Sequence, residues 1–370
     1  MEEGLDKKFK KSISLKEFEV AHTSTNSSMG WDSQEGFDLK QAEKDLNMSV
    51  KKLDNFDMEF DMIGYDAGTA NALRRILLLD IPSMAIEKVY MYQNSSIMQD
   101  DHLSHRLGLI PLNVNPSLFS YPPLDWTPET ATETEVLEFS LAIKCSRSKE
   151  PGKQSINEKV FTKDMQWVAR GEQDKWITPT PGAVAPDILI NKLRPGHEMD
   201  IKLFAIKVKW LATPTCLIFL VQGTGRDHAK FSPVATAYYR LLPSITITKP
   251  VVGEAAVRLQ KCFSPGVIQL VEGERGSKEA TVVNQRLALL WLIFLYISYC
   301  RIDSCSRNVY RYQDLMECVV LEKVHDHFLF TVESVGGSKP QDLVSMAWDV
   351  IIEKCDHFIG ELQSRSEQKS

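Results

Sequence analysis

Two helical segments of this sequence carry more apolar surface than a single fold easily covers. The opening helix lies in TANALRRILLLDIP, from Thr69, and a second helix follows SKPQDLV near the C-terminal end. On a wheel of ~100° per residue, the apolar residues from Leu343 to Leu362 spread over roughly 240°, whereas a surface helix usually has a stripe a little over ~100° wide. Either this helix is buried on all sides within one large domain, or one face packs on its own sheet and another on a partner.

The opening helix has a similar excess. One arc can face the chain's own sheet and is filled by Ala70, Leu73, Ile76 and Leu77. Leu78, however, falls between Arg74 and Arg75 on the opposite side. A planar guanidinium pairs well with carboxylates and carbonyls, so we expect the arginines to meet such groups across an interface.

The rest of the pattern predicts an α+β fold, because strand hairpins alternate with few helices. Phe56 to Met62 alternate apolar and polar residues as a half-buried strand does, and Phe231 to Ile247 predicts a pair of strands. Pro340 suits the first turn of the closing helix. Residues 1–45 are polar and predict a disordered or peripheral arm.

Composition excludes some classes of function. The net charge of −6 disfavours a stand-alone nucleic-acid binder, which usually needs a basic surface. Seven cysteines lack the spacing of a disulfide scaffold, and the N-terminal residues lack the apolar core of a signal peptide. The sequence therefore predicts a soluble protein of a reducing, intracellular compartment.

Candidate chemical motifs are weak. GTGRDHAK lacks the third glycine of a phosphate-binding loop and is better interpreted as a turn that presents Asp227, His228 and Lys230 at the surface. His102 and His105 could share a helix face with a metal ion, but such a set is more often a solvated face. The cysteines Cys300, Cys305 and Cys318 contain no C-x-x-C pair. We therefore predict no catalytic residue, cofactor or metal.

Several long stretches resemble a known family. NALRRILLLDIPSMAIEKVYMYQNSSIMQDDHLSHRLGLIPL resembles the signature of the alpha-like subunits of multi-subunit RNA polymerases. The resemblance narrows with GRDHAKFSPVATAYYRLLP, KCFSPGVI and NVYRYQDLMECVVLEKVHDHFLFTVES, which are similar to the forty-kilodalton alpha-like subunit shared by nuclear RNA polymerases I and III. It covers nearly everything from Phe56 to Leu362.

This resemblance implies a dimerisation domain, made of a sheet and two helices, into which a strand-rich second domain is inserted. The expected order is the arm (1–45), the first part of the dimerisation domain (46–82), the inserted domain (83–230) and the second part (231–370). Implied partners are a small alpha-like subunit, the second-largest polymerase subunit and small zinc-binding subunits. The resemblance implies that the chain contacts DNA only indirectly, through the complex, and that other subunits carry out catalysis. It also implies a location in the nucleus, in the nucleolus and nucleoplasm.

Two sets of residues are predicted to touch other subunits. The dimer interface comprises Asn71, Leu73, Arg74, Arg75, Leu77, Leu78, Leu343, Ala347, Val350, Ile351 and Phe358. The subunit-contact loop comprises Asp227, His228, Lys230, Phe231, Ser232 and Pro233.

Two apolar stretches, 206–220 and 288–302, interrupt the resemblance. Their equal length and their Leu, Ile, Phe and Tyr content suggest short introns read through into protein, which peptide mass spectrometry would test; the alternative is a genuine loop. Both fall short of the ~20 apolar residues of a membrane span. The other open alternatives are a membrane-associated scaffold, through 288–302, and an independent hydrolase that uses His228 or the acidic pair near His102.

Overall fold

The computed structural model describes residues 12–21, 43–123, 126–147, 155–207, 225–226, 228–272, 278–282 and 301–367. Strands and helices are mixed and the paired strands run antiparallel, which confirms the predicted α+β class. Several predictions fall outside the described residues: Asp227, Cys300, most of the two atypical stretches (208–220 and 288–300) and most of the arm (1–11 and 22–42).

The strands are β1 (Ser12–Leu15), β2 (Val20–Ala21), β3 (Asn47–Leu53), β4 (Asp57–Ile63), β5 (Met84–Asn94), β6 (Val136–Lys144), β7 (Lys159–Phe161), β8 (Gln166–Val168), β9 (Leu189–Lys192), β10 (Glu198–Lys207), β11 (Val234–Ile247), β12 (Val251–Val252), β13 (Ile268–Glu272), β14 (Lys278–Val282) and β15 (Val319–Ser334). The α-helices are α1 (Ala67–Leu79), α2 (Asp100–Gly108), α3 (Gln173–Trp176), α4 (Glu254–Cys262), α5 (Gln313–Met316) and α6 (Pro340–Glu367).

The chain forms two compact units. Unit 1 comprises Met1–Lys51, Glu59–Ala70 and Tyr239–Phe330, and unit 2 comprises Lys52–Met58, Asn71–Tyr238 and Thr331–Ser370. The polypeptide passes from one unit to the other inside β3, β4, α1, β11 and β15. The boundaries expected for an inserted domain stay a prediction.

A six-stranded sheet has the order β2-β1-β15-β4-β3, and β11 also pairs with β15. As the alternation predicts, Met58, Phe60 and Met62 of β4 are buried. The prediction is wrong for Phe56, which lies before β4 and is exposed. In unit 1 the ring of Phe60 stacks on Phe330 of β15, with 5.0 Å between the ring centroids. The predicted arm is partly wrong, because Ser12–Leu15 forms a strand that pairs with residues 321–324 of β15.

The predicted pair of strands from Phe231 to Ile247 is wrong. Ala229–Phe231 forms a 3-10 turn, and one continuous strand follows it, β11. Pro243 lies within that strand. Among the described strands β11 pairs only with β15, and a strand with an unpaired edge tolerates proline because the missing N–H can face outwards.

Unit 1 buries a cluster of charges. Asp61 of β4 is 1% exposed, and its carboxylate accepts a hydrogen bond from Arg301. His327 Nε2 lies 3.2 Å from the other carboxylate oxygen, outside good hydrogen-bond geometry, and Lys51 Nζ lies 3.8 Å from it. Arg301 belongs to the atypical stretch 288–302, so the end of that stretch is part of the fold.

Unit 2 contains an antiparallel sheet of order β5-β10-β6-β8, which lies wholly within residues 83–230. Its main core includes Ile86, Phe139 and Leu203, each at most 1% exposed. Ile206 and Lys207, the first residues of the other atypical stretch, continue β10 in register with Ala85 and Met84. The strand therefore extends two residues beyond the point where the resemblance stops.

Candidate protein interface

Helix α6 has a buried apolar face in its first half and an exposed one in its second half. It begins at Pro340, as predicted, and its 28 residues make it about 42 Å long. Leu343, Val344 and Ala347 in its first half are buried in this chain. Their spacing of one, three and four residues forms one helical face, so the first half of α6 is fixed by its own core.

The second half of α6 exposes an apolar stripe. Ile352, Phe358, Ile359 and Leu362 are 56%, 65%, 52% and 68% exposed, and Cys355 is exposed between them. Ile352, Cys355, Ile359 and Leu362 follow the 3-4-3 spacing by which one helix packs along another. On a wheel of ~100° per residue, the stripe is rotated by about 70° from the face that holds Ala347. We call these five residues the α6 stripe.

Helix α1 turns its predicted arc inwards. Ala70, Leu73, Ile76 and Leu77 are buried. Arg74 donates to the Asn71 side chain of the same helix, with its Nη2 2.9 Å from Oδ1. Arg75 is exposed and has no hydrogen-bond or ion-pair partner within the described part of the chain, so it is available to a carboxylate outside it.

Asp80, directly after α1, joins three segments of unit 2. Its carboxylate pairs with Lys354 of α6. Arg226 donates to both oxygens, with Nε 2.8 Å from Oδ1 and Nη2 3.2 Å from Oδ2. Asp80 therefore couples the end of α1 to the middle of α6, within the first turn of the α6 stripe.

The turn that carries Arg226 approaches α1 so closely that only glycine fits. A Cβ on Gly225 would lie 2.2 Å from the carbonyl oxygen of Leu78, inside the shortest distance that such atoms keep. The absent side chain lets this backbone lie against the last turn of the helix and brings Arg226 to Asp80.

The predicted contact loop is anchored to β5. Phe231 is buried, and its carbonyl accepts a hydrogen bond of 2.6 Å from Ser83. Lys230 was expected at the surface, but its ammonium binds the Glu87 carboxylate and donates to the carbonyl of Ile86 at 3.1 Å. His228 is exposed, as predicted.

Beside this loop lies an open groove of about 360 Å³. Leu78, Leu109, Pro111 and Pro233 contribute to its walls. Leu109 is exposed and Leu78 is half-buried, so the lining is largely apolar and reachable from solvent. The groove can receive a side chain of another molecule.

His228 and His105, two candidate site residues, lie close together in unit 2. His228 Nδ1 accepts the N–H of Lys230 at 3.1 Å, and its ring lies edge-on to His105, 6.0 Å between centroids. Within the described ranges, no three His, Cys, Asp or Glu residues are grouped as metal ligands. None of the helices that the structure describes is both long and apolar enough to cross a membrane.

The predicted dimer-interface residues are divided between core and surface. Arg75 and Phe358 are exposed; the half-buried group is Asn71, Arg74, Leu78, Val350 and Ile351; the buried group is Leu73, Leu77, Leu343 and Ala347. Ile352, Cys355, Ile359 and Leu362 were absent from the predicted set. The 3-4-3 spacing in the second half of α6 is the signal that could have found them.

Comparisons with known proteins identify the family of this chain. The model of the RNA polymerase Rpb3/Rpb11 dimerisation domain matches residues 59–355. The DNA-directed RNA polymerases I and III subunit RPAC1 of Homo sapiens is 42% identical over 362 residues, which cover 95% of each chain. The protein of the same name from Mus musculus is 43% identical over 338 residues, covering 89% of this chain and 88% of that protein.

A more distant relative extends the same similarity. The RPAC1 protein of Saccharomyces cerevisiae is 35% identical over 336 residues, covering 88% of this chain and 90% of the relative. The family match includes all of α1 and the part of α6 up to Cys355. The chain therefore belongs to the family of alpha-like subunits shared by DNA-directed RNA polymerases I and III.

Proposed function

We propose that this chain is a non-catalytic assembly subunit that pairs with a small alpha-like subunit of RNA polymerases I and III. The pair would form the platform on which the second-largest subunit and small zinc-binding subunits assemble. RNA polymerases I and III transcribe ribosomal, transfer and other small RNAs. The chain would therefore act in the nucleus, in the nucleolus and nucleoplasm. It would reach DNA only through the complex.

The α6 stripe is the observation that carries this proposal. Complete burial of one exposed Leu, Ile or Phe side chain contributes about 1.5–3 kcal/mol. Because Ile352, Phe358, Ile359 and Leu362 are each somewhat more than half exposed, covering all four would stabilise a complex by roughly 4–7 kcal/mol. A partner that covered the stripe would thus gain a large part of the free energy of a stable dimer.

The predicted interface residues take different roles in this proposal. Leu73, Leu77, Leu343 and Ala347 would hold α1 and α6 on the chain's own core, while Arg75 and Phe358 would touch the partner subunit. Half-buried Asn71, Arg74, Leu78, Val350 and Ile351 would border the contact. Asp80 would keep α6 in place through Lys354, so that the stripe is presented before the partner arrives.

The groove beside the contact loop would serve a further polymerase subunit. Leu109 and Pro233 offer apolar contact there, and exposed His228 lies at the start of the loop. Lys230 and Phe231, which are held by β5, would set the loop's position, and Ser232 and Pro233 would border the contact. We keep Asp227 in the proposed contact on the resemblance alone.

Co-expression tests the proposal. The chain alone should aggregate, and it should become soluble and co-purify when the small alpha-like subunit is produced with it. Combining Ile359→Asp and Leu362→Asp should remove at least about 3 kcal/mol from pairing, which is more than a hundredfold in Kd.

The matched control is Ser364→Asp, which adds a carboxylate on the other side of the same turns, about 160° from Leu362 on the wheel. Circular dichroism would check that all variants keep their helices. A natural chain that stays a stable, soluble monomer and ignores the small subunit would refute the proposal. Equal pairing by the stripe variant and the control would refute the assigned face.

A further inference from the structure

Carboxylates line one side of α6, both before the α6 stripe and beside it. Asp342, Asp349 and Asp356 recur at intervals of seven residues, and Glu353 lies among them. On a wheel of ~100° per residue, the four fall between about 40° and 100° from Ile352, on the side away from Phe358. We call these four residues the acidic flank.

The acidic flank is open to solvent and to partners. All four side chains belong to exposed residues. Within the part of the chain that the structure describes, no cation lies within ion-pair distance of any of them. By contrast, Lys354 and Arg365 on other sides of α6 pair with Asp80 and Glu361. The carboxylates of the acidic flank are thus the ones without a cationic partner in the described part of this chain.

We propose that the acidic flank selects the partner, requiring an amphipathic helix whose own apolar stripe is bordered by lysine or arginine. This inference rests on the proposed function and adds to it the charge of the small subunit's helix. A helix that covers the stripe brings its border residues beside Asp349 and Asp356, because residues flanking a 3-4-3 stripe meet their counterparts across the contact. Cations there would neutralise the carboxylates, and anions would repel them.

The same flank disfavours pairing with a second copy of this chain. Two α6 helices laid antiparallel along their stripes would bring the acidic flanks against each other, with like charges in contact. Laid parallel, each Asp349 and Asp356 would face Ile351 and Phe358 of the other copy and lose water without gaining a cation. The acidic flank therefore disfavours pairing of the α6 stripe with the same stripe of a second copy and favours pairing with a different chain.

Charge reversal in the co-purified pair tests this inference. Combining Asp349→Lys with Asp356→Lys should weaken the complex with the small alpha-like subunit about tenfold at low ionic strength, mainly by slowing association. The difference from the natural chain should shrink at about 0.5 M salt, because salt screens exposed charges. Combining Glu129→Lys with Asp187→Lys, two exposed acids outside α6, gives a control with the same change in net charge.

Rescue separates direct contact from a structural effect. A small subunit whose helix lysines and arginines are changed to glutamate should bind the reversed chain better than it binds the natural chain. Should the reversed chain misfold by circular dichroism, Asp349→Asn with Asp356→Asn should still lower the salt dependence of binding. Natural affinity of the reversed chain at every salt concentration would overturn the acidic-flank inference, whereas failure of the natural chain to bind at all would overturn the proposed function instead.

Discussion

Changing Arg301 to methionine removes the cation that donates to buried Asp61 and keeps much of the side chain's volume. The Asp61 side chain is 2% exposed and that of Arg301 is 14% exposed. Removing one member of a buried ion pair typically costs 3–5 kcal/mol, because the other charge stays away from water without its partner. Since His327 and Lys51 remain near Asp61, we expect the lower end, about 3 kcal/mol.

Unit 1 offers a matched control. Arg258 pairs with Asp314 at 2.5 Å, but both side chains are almost half exposed. The same change there, Arg258→Met, should cost no more than about 1 kcal/mol, because water screens the pair and solvates the remaining carboxylate. A double variant, Arg301→Met with Asp61→Asn, should be more stable than Arg301→Met alone, since no uncompensated charge stays buried.

Urea unfolding of the chain, purified together with the small alpha-like subunit, measures these differences from the unfolding midpoints. If Arg301→Met destabilises the chain no more than Arg258→Met does, the buried cluster does not contribute as its geometry requires. A double variant as unstable as the sum of its single changes would likewise contradict the coupling.

The pH dependence gives an independent readout. Burial alone would raise the pKa of Asp61, but the side chains of His327 and Arg301 beside its carboxylate lower that pKa overall. Its contribution is therefore complete above the ordinary carboxyl pKa of about 4 and is lost as the pH falls towards the lower folded-state pKa. Without Arg301, fewer neighbouring groups stabilise the charged carboxylate against burial, and the pKa of Asp61 rises. The variant should consequently lose less stability in acid than the natural chain loses.

Two further predictions concern α1. Asp66→Ala should lower the free energy of unfolding by about 1 kcal/mol, because the Asp66 carboxylate accepts hydrogen bonds from the N–H groups of Gly68 and Thr69 at the helix start. Asp66→Asn should retain most of this stability. Equal unfolding midpoints for Asp66→Ala and the natural chain would contradict the role of Asp66 as a helix cap. Gly225→Ala should displace its turn from the Leu78 carbonyl, cost about 1–3 kcal/mol of stability and lower the amount of paired complex. Gly360→Ala, where the added Cβ meets open space, should not lower the amount of complex. An equal loss of complex in the two variants would contradict the close approach of Gly225 to α1.

Local patterns predicted the elements of the fold better than their pairing. Alternation identified β4, and Pro340 marked the start of α6, since both depend on residues close together in sequence. The single strand β11 was missed because Pro243 favours a break in a strand. Only the pairing of β11 with β15 shows that its other edge can tolerate proline. Arg301 was missed as a core residue because its partner Asp61 is remote in the chain.

The candidate interface was predicted only in part, because local patterns do not show which residues the rest of the chain covers. A wheel shows how wide the apolar arc is, but not which sector the chain covers itself. Ala347 and Phe358 lie within about 20° of each other on the α6 wheel, yet the first is buried and the second exposed. Position along the helix separates them, because the chain's own core ends before the last turns.

Neither unit is a continuous piece of polypeptide, and this affects synthesis. Ser12 of β1 bonds to Glu322 of β15, 310 positions later, and unit 2 is completed by Thr331–Ser370. A chain that leaves the ribosome from its N-terminal end must hold β1 and α1 without their final neighbours until almost the whole message has been translated. The N-terminal strands therefore stay unpaired for the longest part of synthesis. We expect chaperones that bind nascent chains to act mainly on this half of the sequence.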